Sequence, residues 1–168
     1  EGVEGLAGIE LGLDDGTDSV GARELVAAAV SGGLPIIVRV PFEGALECAR
    51  AAEAAGAGAV TVSAPPRGRW QTAAGEWAHG RTVGAAIAPL SLQKVCAIIS
   101  VVRLPVIASG GIHSAENAQS FLRAGAVAVQ VDAQVWRDPA SLSAIAATLR
   151  EGARADEGVT WSSENEQT

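Results

Sequence analysis

The sequence has no methionine and no tyrosine, and only two phenylalanines and four tryptophans among its 168 residues. Aromatics make up 4% of the chain while glycine alone contributes 20 residues. So few rings and so many small residues favour helices packed closely on a parallel sheet over a β-sandwich. Long apolar runs are also missing. The longest are broken by Pro, Arg or Gly, which excludes a membrane-spanning helix. No signal-peptide pattern opens the chain, and the first residue is Glu1 rather than Met, as expected of a processed or trimmed product. Basic residues are outnumbered, 12 against 19 acidic, for a net charge of −7. Residues 151–168 hold five acids against one base, a net −4 that leaves −3 for residues 1–150. Without a basic stripe the chain is not expected to bind nucleic acid. There are two cysteines, Cys48 and Cys96. Each falls in a predicted helix among Ala, Leu, Ile and Val, so both are expected to be buried core thiols. No Cys/His spacing resembles a metal site, and a reducing cytoplasm is the expected compartment.

What is present is alternation. Strands are predicted over residues 8–13, 34–40, 57–63, 104–109 and 126–131. Helices are predicted over residues 23–31, 44–55, 90–102 and 114–124, with a last one from Pro139 to about Arg150. The helix over 90–102 places Val95, Ile98, Ile99 and Val102 at helical spacing. Ser114 is a good N-cap, and Gly125 follows that helix. A short helical turn is expected after Asp132. Residues 64–83 read instead as a long polar loop rich in Gly and Pro, carrying Arg67, Arg69 and Arg81. It follows the C-terminal end of a strand, where α/β proteins build their sites. Two uses are open: contact with an anion, or a covering flap.

A β-α-β unit recurs about 70 residues on. Leu34-Pro35-Ile36-Ile37 returns as Leu104-Pro105-Val106-Ile107, and Gly56-Ala57-Gly58-Ala59-Val60-Thr61-Val62 as Gly125-Ala126-Val127-Ala128-Val129-Gln130-Val131. Recurrence suits a (β/α)₈ barrel, in which every unit meets a similar environment. No Gly-x-Gly-x-x-Gly follows a strand, against an open dinucleotide-binding sheet. The expected fold is α/β, a partial (β/α)₈ TIM barrel of about five parallel strands over residues 1–150, followed by an acidic polar tail over 151–168. Five strands leave two unpaired edges. The missing strands are expected in an N-terminal segment, a partner chain or a symmetric copy.

The sharpest local motif is Ile107-Ala108-Ser109-Gly110-Gly111-Ile112, a strand running into two glycines ahead of a helix. Glycines admit close backbone approach, and free N–H groups at a helix start attract phosphate. The next strand ends at Val131-Asp132-Ala133. In a barrel the loops after the last two strands are the usual phosphate site.

Residues 105–139, PVIASGGIHSAENAQSFLRAGAVAVQVDAQVWRDP, resemble the C-terminal part of dihydroorotate dehydrogenases. GIELGLDDG resembles that family's mid-chain strand, usually Glu-Leu-Asn-x-Ser-Cys-Pro-Asn, and LPIIVRVPF its next strand, which normally carries Val-Lys. The resemblance runs in order from residue 3 to about 150. It places these strands in the C-terminal part of the barrel. It implies a flavin mononucleotide (FMN) protein that oxidises dihydroorotate to orotate in pyrimidine synthesis. A base removes the C5 proton and hydride passes to the flavin.

Position by position, the resemblance puts the substrate-binding Asn at Gly12, the catalytic base at Asp15 and a second Asn at Thr17. The flavin-contacting Lys falls on Arg39, and the Asn ending the next strand on Ser63 or Ala64. The phosphate glycines are Gly110 and Gly111, and the second phosphate turn, usually Gly-Thr or Gly-Ser, is Asp132-Ala133. Asp15 is a candidate base or a solvated carboxylate beside Asp14 and Asp18. Arg39 is a cofactor contact or the partner of an interior carboxylate such as Glu10. Asp132 either opposes a phosphate or caps the short helix after it. His113 touches phosphate or is simply exposed. Trp70, Trp77 and Trp136 stack on a ring or pack the long loop. With so many positions replaced, turnover by this chain is expected to be impaired. The alternative is a non-catalytic binding or assembly subunit that has lost FMN, and a third reading is binding of some other small anion through Gly110, Gly111 and the arginine-rich loop.

Overall fold

The structure, a computed structural model, describes residues 5–62 and 65–157. Five parallel strands form one sheet: β1 (Ile9–Gly12), β2 (Ile36–Val40), β3 (Ala59–Val62), and two more after an insertion. Helices α1 (Ser19–Val30) and α2 (Ala45–Ala54) link the first three. After β3 comes an antiparallel hairpin, β4 (Arg67–Gln71) and β5 (Trp77–Arg81), then a 3₁₀ turn at Ala85–Ile87 and α3 (Ala88–Ile99). The chain continues through β6 (Val106–Ser109), α4 (Ala115–Arg123), β7 (Ala128–Gln130), α5 (Ala133–Arg137) and α6 (Ala140–Glu157).

The strand order is β1-β2-β3-β6-β7, which is also the order in the chain. Crossovers between parallel strands are right-handed, so winding that never reverses puts every crossover helix on one face. A doubly wound sheet would show a reversal. Alternation along the strands agrees. Ile36, Val38, Val40, Val60, Val62, Val106 and Ala108 are buried under the helices, with Val26, Val95, Ile98 and Phe121 packed over them. Fully burying such side chains contributes roughly 1.5–3 kcal/mol each. The opposite face carries Glu10, Arg39, Thr61 and Gln130.

That inner face reveals the curvature. Gln130 Nε2, on one edge strand, donates to Glu10 Oε2, on the other, at 2.8 Å. Across a flat five-stranded sheet those edges would stand about 19 Å apart, too far for Glu and Gln to meet. The sheet is curled, as in an eight-stranded barrel, where the first and fifth strands face each other across the axis.

Residues 64–83 differ from the expected loop. Residues 67–81 form the hairpin, with Arg67 opposite Arg81 and Gln71 opposite Trp77. Helix α1 starts four residues earlier than expected, because Asp18 accepts from Gly21 N–H at 2.8 Å and caps it. Ser114 caps α4 as expected, accepting from Asn117 N–H at 3.1 Å. Cys48 is buried, but Cys96 is exposed, because it lies off the face of α3 that carries Val95 and Ile98. Helix α6 continues past residue 150 to Glu157, into the expected acidic tail; the rest of that tail lies outside the described residues. No described helix is long and apolar enough to cross a membrane.

Candidate functional site

The C-terminal ends of β6 and β7 open onto a cavity of about 370 Å³. Its floor is the Ser109–His113 turn, and one wall is Asp132, Ala133, Gln134 and Arg137. Pro65, Val83 and Ile87 close the other side. Gly110 and Gly111 hold φ of 93° and 80°, which residues with a Cβ rarely adopt. Gly111 has a second reason to be glycine. A Cβ there would lie 2.5 Å from Ala88 N and 2.7 Å from Ala88 Cα. The turn therefore seats directly against the start of α3. His113 Nδ1 lies 2.8 Å from Gly111 O. A carbonyl only accepts, so Nδ1 donates in this contact. The structure thus brings Gly110, Gly111, Asp132 and Ala133 to one cavity. It adds His113, Gln134 and Arg137. The signal for Arg137 was the short helix expected after Asp132, one turn of which carries an arginine back to the strand ends.

Asp132 stands at the N-terminus of α5 but makes no side-chain capping bond, so the expected cap is not formed. Its carboxylate, the Gln134 amide and the Arg137 guanidinium engage no other described residue. FMN fits this wall poorly. A phosphate beside Asp132 meets repulsion of about 1 kcal/mol per charge pair in water, and several-fold more at lower effective dielectric. Arg137 offsets Asp132, leaving the wall without net charge. Both side chains are exposed, so together they add little net attraction for a dianion, and backbone N–H groups of the glycine turn would have to supply it.

The other site positions form a separate group on β1, β2 and the hairpin. Asp15 accepts from Arg67 Nε at 2.6 Å and lies 3.0 Å from Arg81 Nη2. The Arg67 hydrogen bond, aided by the Arg81 charge and opposed by partial burial, holds the Asp15 carboxyl below its ordinary value. A carboxylate so held is a weakened base. Arg81 also donates to Pro65 O at 2.9 Å, and Arg69 lies over the Trp77 ring at 4.7 Å. The three hairpin arginines are thus engaged within the protein, Arg67 and Arg81 on Asp15 and Arg69 on Trp77. Trp136 is 88% exposed and packs no loop.

Arg39 Nε lies 3.6 Å from Glu10 Oε1, the ion pair expected as one of its two uses. Its guanidinium also occupies the space over Gly12. A Cβ on Gly12 would lie 2.6 Å from Arg39 Nη2. Gly12 and Arg39 face each other in the β1–β2 register, so the small residue and the large fork fit one another. Thr61, next to Arg39 in register, is fully buried with its hydroxyl unpartnered among the described residues. Ser63, the remaining expected site residue, lies outside the described residues. Among the described residues no group of three or more His, Cys, Asp or Glu side chains is placed to hold a metal ion.

Parallel strands wound in one direction, helices on one face and a glycine turn with a cavity at the strands' C-terminal ends define a protein of the (β/α)-barrel class. Within that class, the chain belongs to the dihydroorotate dehydrogenase family, whose model matches residues 67–152. It is 35% identical over 147 residues to dihydroorotate dehydrogenase A (fumarate) of Limosilactobacillus reuteri, covering 82% of this chain and 48% of that protein. It is 30% identical over 170 residues to the catalytic subunit of dihydroorotate dehydrogenase B (NAD(+)) of Citrifermentans bemidjiense, covering 90% and 55%. The fold is similar to that of the dihydroorotate dehydrogenase of Eimeria tenella solved with ferulenol. The TM-score is 0.73 at 16% identity, over 90% of this chain and 51% of that one. The chain thus spans about half the length of the curated relatives it matches.

Proposed function

We propose that this chain is the C-terminal half of a dihydroorotate dehydrogenase-type barrel, of the pyrimidine-synthesis oxidoreductase lineage, with its proton-abstraction step impaired. The observation that carries this reading is the Asp15 clamp. The family's base position holds a carboxylate engaged by two arginines, with its proton affinity lowered. Gly12, in place of a substrate-binding Asn, offers no side chain and its space is filled by Arg39. The lineage implies FMN chemistry: a bound flavin would accept hydride from the substrate. This chain's residues would meet the end of the flavin's tail through the Gly110-Gly111 turn and leave the C5 proton without an effective base.

The unpaired edges β1 and β7 call for about three further strands, and the Glu10–Gln130 contact across the axis favours a gap of that size. A three-strand segment, preceding in the same chain or on a partner, fits better than a second copy with its five strands. The free thiols Cys48 and Cys96 favour a reducing cytoplasm. A second reading, a binding or assembly subunit that has lost FMN, is favoured by Asp132 in the cavity wall.

The test is spectroscopic. The protein in its native assembly is mixed anaerobically with dihydroorotate and the visible flavin band followed. The expected result is no bleaching over minutes. Rapid bleaching would overturn the impaired reading.

A further inference from the structure

We infer that Glu10 and Gln130 form a strut across the barrel axis that roofs Thr61 and holds Arg39 over Gly12. The bond at its centre is direct: Gln130 Nε2, on β7, donates to Glu10 Oε2, on β1, at 2.8 Å. These are the two outer strands of the sheet. In a curled sheet a chord between the outer strands passes over the middle one, which is β3. Thr61 lies on the inner face of β3 and is 0% exposed, although among the described residues no strand stands opposite it. Its hydroxyl has no partner among the described residues, so burial brings it no compensating bond. It is buried by what lies over it. Its register neighbours are Arg39 and Ile107. Arg39 leans the other way, toward β1, where its Nη2 would be 2.6 Å from a Cβ on Gly12. The cover left on the axis side is the Glu10–Gln130 pair.

The same carboxylate serves Arg39. Its second oxygen, Oε1, lies 3.6 Å from Arg39 Nε. That pair is too long for a hydrogen bond, and its side chains are 49% and 32% exposed, so alone it holds Arg39 weakly. Gln130 changes this by fixing the rotamer of Glu10, which keeps Oε1 aimed at one place. The Arg39 fork thereby stays in the space that Gly12 leaves open. Gln130 is a positioning residue for Arg39, acting through Glu10, which lies 120 positions away in the chain. The interior is closed by the chain's own residues, and the curl is set before any further strand is added. The half barrel is then a preformed arc for the strands proposed above to complete.

The test places a thiol under the roof. Thr61→Cys is made in a Cys96→Ser background, so that buried Cys48 is the only other thiol. Reaction of the full chain with a thiol-specific disulfide reagent is followed with and without Gln130→Met, which keeps length and removes the amide donor. The thiol at position 61 is expected to react about fivefold faster with Gln130→Met, as the loss of one hydrogen bond shifts a local opening. Cys48 is expected to keep its rate. The drop in urea midpoint caused by Gly12→Ala is expected to be smaller with Gln130→Met, because Arg39 is then free to yield. An unchanged rate at position 61 would overturn the roof, and strictly additive Gly12 and Gln130 losses would overturn the hold on Arg39. Gln130→Glu, which sets two carboxylates against each other, is the second variant if Gln130→Met does not fold. Faster reaction of both thiols in both variants would overturn the inference, since the bond would then hold the whole fold rather than a roof.

Discussion

Three positions show how single residues shape this site. Gly12 and Arg39 are matched, since any side chain at 12 meets the Arg39 fork. The blocking atom is the far end of a flexible side chain, so Gly12→Asn alone moves Arg39 rather than breaking the fold. Its cost is expected to shrink in an Arg39→Lys background. A double-mutant cycle in urea should show coupling of roughly 0.5–1 kcal/mol; strict additivity would contradict the match. Gly111 is different, because the clash is with the Ala88 backbone and φ is positive. Gly111→Ala is expected to cost about 2–4 kcal/mol, read from urea unfolding. Asp15 gives a pH dependence. Its folded carboxyl lies below the ordinary value of 3.8, so its stabilisation is full above that value and is lost as pH falls through the lowered one. The melting temperature should therefore fall more between pH 5 and pH 3 in the parent than in Asp15→Asn. Arg67 is mostly exposed, so the clamp is worth about 1 kcal/mol at most. None of these pairings is local in sequence. Asp15 and Arg67 are 52 positions apart, and the resemblance together with the neighbouring Asp14 and Asp18 left Asp15 a base or a solvated carboxylate.

At the scale of elements, periodicity located all five parallel strands and the helices between them, because buried strands and helices write their environment as apolar runs of characteristic length. The hairpin left no such record. Its strands, Arg67-Gly68-Arg69-Trp70-Gln71 and Trp77-Ala78-His79-Gly80-Arg81, are polar and glycine-rich and lie mostly exposed. Cross-strand pairing and the ion pairs to Asp15 hold it, and neither shows as a period of two. Gly75, at φ 82° in the turn, was its one local signal. If the clamp holds the hairpin down, Arg67→Ala with Arg81→Ala should speed amide exchange at residues 67–71 and 77–81 and leave β3 and β6 unchanged. Equal protection in the variant would assign the hairpin's order to its own pairing.

For the whole molecule, the unreversed winding and the curled sheet match part of a barrel, and among the described residues both ends of the sheet stop at unpaired edges. The repeated unit made the architecture legible from sequence. The grouping of the site did not follow from it. Gly110, Gly111, Asp132 and Ala133, grouped by the sequence, line one cavity, whereas the ion-paired group around Asp15 and Arg39 is set by contacts between elements far apart in the chain. Together they describe a barrel half with a cavity at the ends of β6 and β7 and with Asp15, the proposed base position, in an arginine clamp. The proposed loss of proton abstraction can be measured without any flavin, by following exchange of the C5 hydrogens of dihydroorotate in heavy water by NMR, with and without the protein in its native assembly. The account predicts exchange at the buffer rate. Exchange accelerated by the protein and abolished by Asp15→Asn would contradict it.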